Sequence, residues 1–372
     1  MVSYGILLFQ SEIHIHKDGF MKLKRICKCL LCTVLVLSAL LGLSACGETK
    51  ESSVMIFSMD TEMTFKAYGK NRELGLTAAT SIVESMDRML DPELETSKVW
   101  ELNHAQGKSV VVTGQIAKMV ETAKEVYSHS GGSLDPTIYP LVQRWSIKDG
   151  KGYVPNADEI YLDLNRLCFD DVVLTSFPSS GSYTLQMPSY AEITFAALAK
   201  GCASDYATEA MKNAGVESGI ISLGGNVHTV GLKPNGDLWS VAVQDPNNTS
   251  SYVGILTVGE TAVVTSGAYQ RYFTDYLGKT YHHILNPKTG LPVTNTLSSV
   301  TVVSPDGTLA DALSTALFVM GKSNALQYWR DYSNGRFELV LITTDNEVIC
   351  TTGLIEQFEL TNTRDYTVQF VE

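Results

Sequence analysis

From residue 54 onward the chain alternates between stretches of period two and stretches of helical period. Val54 to Tyr68 reads as strand. Residues 72–90 then set Leu76, Ala79, Val83, Met86 and Leu90 at helical spacing. Thr113 to His129 predicts a second helix, with Thr113 placed to cap it and Gly131 near its end. Gly150, Gly152, Pro155, Pro178 and Pro188 punctuate 146–191, which reads as strand and turn. A helix is expected from 194 to about Asn213, and Ile220 to Asn226 reads as a buried strand ending in a glycine turn. A meander follows at 238–244, 253–258 and 261–265. After it come a strand at 298–303, a Pro305-Asp306-Gly307 turn and a helix from Leu309 to Met320. A helix at 323–333 and strands near 336–344, 347–351 and 366–371 close the pattern. This mixed order indicates an α+β fold rather than a doubly wound parallel sheet.

The first 45 residues follow a different pattern. Lys22, Lys24, Arg25 and Lys28 form a basic segment after Met21, and an apolar run occupies 30–43. That run is short for a spanning helix, which needs about 20 residues. Leu43-Ser44-Ala45-Cys46-Gly47 reads as a bacterial lipobox, with cleavage before Cys46 and lipid on its sulfur; an uncleaved anchor is the alternative. Residues 1–20 lack signal character, which makes Met21 a candidate start. The expected organisation is a signal region at 1–45, a lipidated Cys46 with a polar tether to 53, and one domain over 54–372. The protein is thus expected at a bacterial cell membrane, lipid-anchored on the extracytoplasmic face. Cys27, Cys29 and Cys32 leave with the signal. Cys168, Cys202 and Cys350 remain, too scattered for a disulfide framework or a CxxC metal site. Without residues 1–45 the chain keeps 23 Lys and Arg (28 less 5) against 38 Asp and Glu (40 less 2), a formal charge of −15. That balance argues against nucleic acid and against broad adhesion to anionic lipid, so membrane attachment would rest on the anchor.

Common nucleotide and hydrolase motifs are missing. Gly224-Gly225 lacks the Walker lysine, no GxGxxG precedes a helix, and neither GxSxG nor HExxH occurs. The chemistry concentrates at 281–320. Asp311 and Thr315 lie four apart on one helix face, with Asp311 expected in the first turn, where the helix dipole favours a carboxylate. Such a pair suits a hard cation such as Mg²⁺, which takes oxygen ligands and substrate phosphates. Helix capping plus a buried hydroxyl accounts for the same spacing. His283 is a candidate proton acceptor or phosphate contact, or else a structural histidine after a strand. Arg271 offers a planar fork for phosphate.

Several segments together carry a resemblance. They are His282-His283-Ile284-Leu285-Asn286-Pro287-Lys288-Thr289-Gly290-Leu291-Pro292 and Ala310-Asp311-Ala312-Leu313-Ser314-Thr315-Ala316-Leu317, with Leu223-Gly224-Gly225-Asn226, Thr265-Ser266-Gly267 through Arg271, and Lys200-Gly201. This set resembles the ApbE-type FAD:protein FMN transferases. The resemblance implies two α+β subdomains in one T-fold-related domain with FAD between them. It implies Mg²⁺ as cofactor, FAD as substrate, and transfer of FMN through its phosphate to a threonine of an acceptor protein, with AMP leaving. Acceptors of that kind are flavin-carrying subunits of redox complexes or extracellular flavoproteins. Met59, Ser133, Leu134, Asp135, Thr194, Lys200, Arg271 and Leu285 would line FAD. The Ala197 carbonyl, Asp311, Ser314 and Thr315 would hold the metal, and His283 and Asp311 would serve catalysis. The chain departs from the family at Asp60 (usually Gly), at Leu134 (usually Phe), at Thr194 (usually Asp), at Ala196-Ala197 (usually Gly-Gly) and at Ser314, where a carboxylate can occur. An FAD pyrophosphatase, with water attacking in place of threonine, would use the same residues. A non-catalytic flavin-binding lipoprotein would fit the lost carboxylates at Thr194 and Ser314.

Overall fold

Side chains of a strand alternate between two faces, so a sheet covered on both sides needs apolar residues at nearly every position. The strand at 297–304 and its neighbours have that composition, and they form the middle of a nine-stranded sheet. The architecture is that of a computed structural model describing residues 50–148 and 150–372. The sheet is built from β1 (Glu51–Ser58), β2 (Thr61–Tyr68), β6 (Gly219–Leu223), β7 (Asn226–Val230), β10 (Ala262–Gly267), β13 (Leu297–Ser304), β14 (Glu338–Thr343), β15 (Glu347–Thr351) and β17 (Thr367–Val371), hydrogen-bonded in that order. Neighbours are antiparallel except β15 and β17. Val264, Val300, Val302, Leu339 and Leu341 face one core, while Val263, Val303, Val340 and Ile342 face another.

Helices α1 (Arg72–Leu90), α2 (Lys98–Asn103), α3 (Gly114–His129), α6 (Ala199–Asn213), α7 (Gly307–Met320) and α8 (Lys322–Tyr332) share the first core. A three-stranded sheet of β8 (Trp239–Gln244), β9 (Tyr252–Val258) and β16 (Phe358–Leu360) covers the other face. A second three-stranded sheet consists of β3 (Val110–Val112), β5 (Ser182–Gln186) and β4 (Val173–Phe177). A small lobe has its own core of Leu141, Trp145, Ile160, Phe273 and Leu285. These come from α4 (Tyr139–Trp145), α5 (Ala157–Leu164), the ribbon of β11 (Tyr272–Thr274) with β12 (Thr280–His282), and the turn at 284–293. The fold is α+β.

The structure corrects four sequence expectations. β1 begins at Glu51, inside the stretch read as tether, because it pairs with β2 along its whole length from Glu51↔Tyr68 to Ser58↔Thr61. Region 146–191, read as strand and turn, also carries helix α5, which a capping box of Asn156 and Glu159 starts amid the glycines and prolines that mask it. The helix expected from 194 begins only at Ala199, since Leu198 has a non-helical backbone and 194–198 stays a loop. Asp311 is not in the first turn of α7: the helix starts at Gly307, with Asp306 as N-cap accepting from Leu309 N. Cys168, Cys202 and Cys350 are all free thiols. The signal segment and Cys46 lie outside the described residues. Among those described, no helix is long and apolar enough to cross a membrane.

Candidate active site

The site begins with two glycines. A Cβ on Gly201 would lie 2.1 Å from the Gly307 carbonyl oxygen and 2.6 Å from Asp311 Cβ. A Cβ on Gly307 would lie 2.6 Å from Ser204 Oγ and 2.9 Å from the Gly201 carbonyl oxygen. Their hydrogens therefore let the first turns of α6 and α7 touch, an approach no other residue allows. The contact buries Asp311 at the N-terminus of α6. Its Oδ2 accepts from Gly201 N at 2.8 Å and its Oδ1 from Asn226 Nδ2 at 2.9 Å. The dipole this carboxylate meets is thus that of α6 rather than that of its own helix. Burial pushes the Asp311 carboxyl above its ordinary range, against the opposing pull of Lys200, Gly201 N and Asn226.

Oxygen donors surround that carboxylate. Ser314 Oγ donates to the Asp311 carbonyl at 2.9 Å and lies 2.8 Å from Ser266 Oγ, at the end of β10. Half-buried Thr315 places Oγ1 3.3 Å from the same Ser266 hydroxyl. Gly201 N turns to Asp311 instead of to the Ala197 carbonyl four residues back, which leaves that carbonyl available. Among the described residues no three of His, Cys, Asp and Glu cluster to hold a metal. The donors grouped at Asp311 are instead one carboxylate and the hydroxyls of Ser314 and Thr315, all oxygen, a set that fits a hard cation completing its shell with a backbone carbonyl, phosphate and water.

Both histidines of the pair have assigned protons. His282 donates from Nε2 to the Val293 carbonyl at 2.8 Å and accepts from Ile284 N at Nδ1, so both ring nitrogens are structural. His283 lies 3.1 Å from the Arg271 carbonyl through Nδ1. A carbonyl only accepts, so Nδ1 carries the proton and Nε2 keeps the lone pair. Burial, with Arg271 and Lys200 nearby, pushes His283 down to about 4, so the ring is neutral at physiological pH.

Three turns meet beside these groups at one end of the sheet. Met59 and Asp60 form the two-residue tip between β1 and β2, both at positive φ (+49° and +59°), as such hairpins require. Glycine fits this position best, and aspartate tolerates it better than most residues. Gly224 and Gly225 form the tip between β6 and β7, also at positive φ, and a Cβ on Gly224 would lie 2.6 Å from the Thr61 side chain. The third is the turn at 268–271 after β10, from which Arg271 donates to the Asp60 carbonyl at 3.2 Å. A cleft of about 350 Å³ opens there between the sheet end and the lobe, lined by Asp60, Thr61, Lys148, Gln270, Arg271 and Tyr272.

Of the expected FAD residues, Arg271 lines this cleft and the Met59–Asp60 tip adjoins it. Half-buried Lys200 sits by Asp311 and His283. The side chains of 133–135 serve the fold. Ser133 Oγ donates to the Ser130 carbonyl, Leu134 is buried in the main core, and Asp135 Oδ1 accepts from Thr137 N and Thr137 Oγ1 at 2.8 and 2.6 Å. The Leu285 side chain points into the lobe core. The turn at 133–137 still reaches the site, because Thr194 N donates to the Pro136 carbonyl at 2.9 Å. Thr194 Oγ1 accepts from Ala196 N, so the hydroxyl keeps the turn an aspartate would make and only its charge is lost. Gly201, Asn226 and Ser266 belong to the segments that carry the resemblance, but the sequence gives none of them a part in holding Asp311, and it gives Asn103 no role. Asn103 clasps Ile193 through both its amide atoms, at 2.7 and 3.1 Å, and so fixes the loop before Thr194.

A buried carboxylate amid neutral oxygens, with a lysine and an arginine nearby, has the chemistry a phosphorylated ligand would need, on an α+β scaffold. The chain belongs to the ApbE family, whose model matches residues 59–340. It is 28% identical over 356 residues to the FAD:protein FMN transferase of Treponema pallidum, across 90% of this chain and 95% of that protein. It is 30% identical over 293 residues to one from Klebsiella pneumoniae, across 78% and 89%. The crystal structure of the ApbE protein of Thermotoga maritima superposes with a TM-score of 0.72 at 25% identity, covering 79% of this chain and 94% of that one.

Proposed function

We propose that this chain is a Mg²⁺-dependent FAD:protein FMN transferase that esterifies a threonine of an acceptor protein and releases AMP. The observation that carries the reading is Asp311, buried yet held open by Gly201 N and Asn226 within a ring of neutral oxygens. Asp311, Thr315 and the Ala197 carbonyl would hold the ion, with Ser314 braced against Ser266 behind them. Mg²⁺ held there would supply positive charge against the FAD pyrophosphate. Lys200 adds positive charge on the same side, and Arg271 faces the cleft as a fork for phosphate. The threonine Oγ forms a bond to the FMN phosphorus, the bond from that phosphorus to the bridging oxygen breaks, and AMP leaves with that oxygen. The hydroxyl proton passes to His283 Nε2, the lone-pair nitrogen of a ring whose Nδ1–H is held by the Arg271 carbonyl. Positioning and charge supply most of such catalysis, which accords with a site holding a single carboxylate.

Lipidation of Cys46 would hold this reaction at the extracytoplasmic membrane face, near acceptors such as flavin-carrying redox subunits. The test is incubation with FAD and Mg²⁺, with and without an acceptor. AMP plus a flavinylated acceptor supports transfer. AMP with free FMN in both cases marks a hydrolase, and no AMP contradicts catalysis altogether.

A further inference from the structure

Asp311 reaches its place only because α7 starts where it does, and one carboxylate outside the metal set governs that start. Asp205 projects from α6 and is mostly buried. Its Oδ1 accepts from Gly307 N at 2.7 Å, and its Oδ2 accepts from Thr308 N at 3.0 Å and Thr308 Oγ1 at 2.6 Å. Lys118 of α3 donates to Oδ2 at 2.7 Å, and the same lysine lies 3.3 Å from Asp306, the N-cap of α7. Buried His228 of β7 lies 3.7 Å from Asp205 Oδ1 and bonds Ser204 Oγ at 2.9 Å, while Ser204 Oγ donates to the Gly201 carbonyl at 2.8 Å. Both backbone polar groups of Gly201 are thus tied down. Its N–H is bound by Asp311, and its carbonyl by a serine next to Asp205.

We infer that Asp205 is a positioning residue for the metal site, clamping the first turn of α7 onto α6 so that Asp311 stays on Gly201 N with its second lone pairs turned to the ligand. This rests on the proposed Mg²⁺-dependent transfer. Two physical points support it. The first two amides of α7 are orphan donors that Asp306 alone cannot satisfy, since its side chain takes Leu309 N. In addition, Asp205 accepts from four donors, Gly307 N, Thr308 N, Thr308 Oγ1 and Lys118 Nζ. Lys118 holds its carboxyl below the ordinary range despite burial, which keeps it an acceptor at both oxygens. An asparagine here would turn its amide NH₂ toward either Gly307 N or the Thr308 and Lys118 donors, and one side of the clamp would open. Glycines at 201 and 307 leave no side chain to stop the helices parting, so Asp311 would drift with α7.

The test compares wild type, Asp205→Asn and Thr308→Val, the last removing a single hydroxyl donor. Two readouts are taken: Mn²⁺ binding to the protein alone by electron paramagnetic resonance, and AMP release from FAD against Mg²⁺ concentration. Orienting groups behind a metal ligand are typically worth about 10- to 100-fold in affinity. Asp205→Asn should therefore weaken Mn²⁺ binding and raise the Mg²⁺ requirement about tenfold, with FAD affinity by flavin fluorescence unchanged. Thr308→Val should shift both in the same direction by less. Unaltered Mn²⁺ binding and an unaltered Mg²⁺ curve in folded Asp205→Asn would overturn the inference alone. If Asp205→Asn does not fold, wild-type values in Thr308→Val overturn it. Wild-type protein that binds no Mn²⁺ and ignores Mg²⁺ would overturn the inference together with the functional reading beneath it.

Discussion

His283 and His282 are adjacent in sequence and opposite in role. His282 spends both nitrogens on backbone, whereas His283 keeps Nε2 free and is pushed down to about 4. A base with a depressed pKa is in its working, neutral form above that value and is lost only as pH falls through it. The acid limb of kcat/KM for transfer should therefore lie near 4 rather than near the ordinary 6.5, wherever the protein stays folded. His283→Gln should lose about 10²- to 10⁴-fold in rate, the usual worth of a positioned proton acceptor. A wild-type limb centred at 6.5, or a variant of wild-type rate, would remove His283 from that role. At this scale the sequence revealed residue types and spacing but not direction. Asp311 and Thr315 were legible from i, i+4 spacing. Asn226 sat in plain view after two glycines, yet only the fold shows its amide aimed at Asp311. The resemblance places Ser133, Leu134, Asp135 and Leu285 along FAD; their side chains bond or pack within the turn and cores around them, a direction the sequence does not show.

Helices α6 and α7 form the element pair on which the site depends. Their contact is set by Gly201 and Gly307, and the atoms a methyl would strike at Gly201 are backbone, which cannot swing away. Gly201→Ala should cost roughly 1–3 kcal/mol, the usual penalty for overpacking, and part the two helix ends. Thermal unfolding should show the loss, and Mg²⁺ dependence should weaken with it. A variant with wild-type melting temperature and Mg²⁺ curve would mean that the helices do not touch as described. Long periodic elements were legible: α1, α3 and the core strands carry clear patterns and, at Thr113, a cap that accepts from Ile116 N. Short α4 and α5 were not, because Gly and Pro punctuation outweighs one turn of apolar spacing. Helix α6 starts five residues beyond the position its sequence predicts. The alanines there suit a helix, but Asn103 and Pro136 hold 193–194 in another path, and tertiary contacts overrode propensity.

At the scale of the whole molecule, the nine-stranded sheet brings three turns to one end, and the lobe closes a cleft against them. The α+β class was legible from the mixed order of elements, but the strand order was not, since β10 pairs with both β7 and β13 across long separations. The net charge gives no general attraction to an anionic membrane, so the proposed attachment would rest on Cys46 alone. Cys46→Ala should move the protein from the membrane to the soluble fraction or leave it unprocessed, and fractionation showing native protein without lipid would contradict that. The central claim is that Asp311 is the charged ligand of a metal on FAD. The measurement that tests it most directly is AMP release from FAD against Mg²⁺ concentration for wild type, Asp311→Ala and Thr315→Ala. The account expects Asp311→Ala to abolish release with partial recovery at high Mg²⁺, and Thr315→Ala to slow it less, because water replaces a neutral hydroxyl. An Asp311→Ala protein with an unaltered Mg²⁺ curve would contradict it.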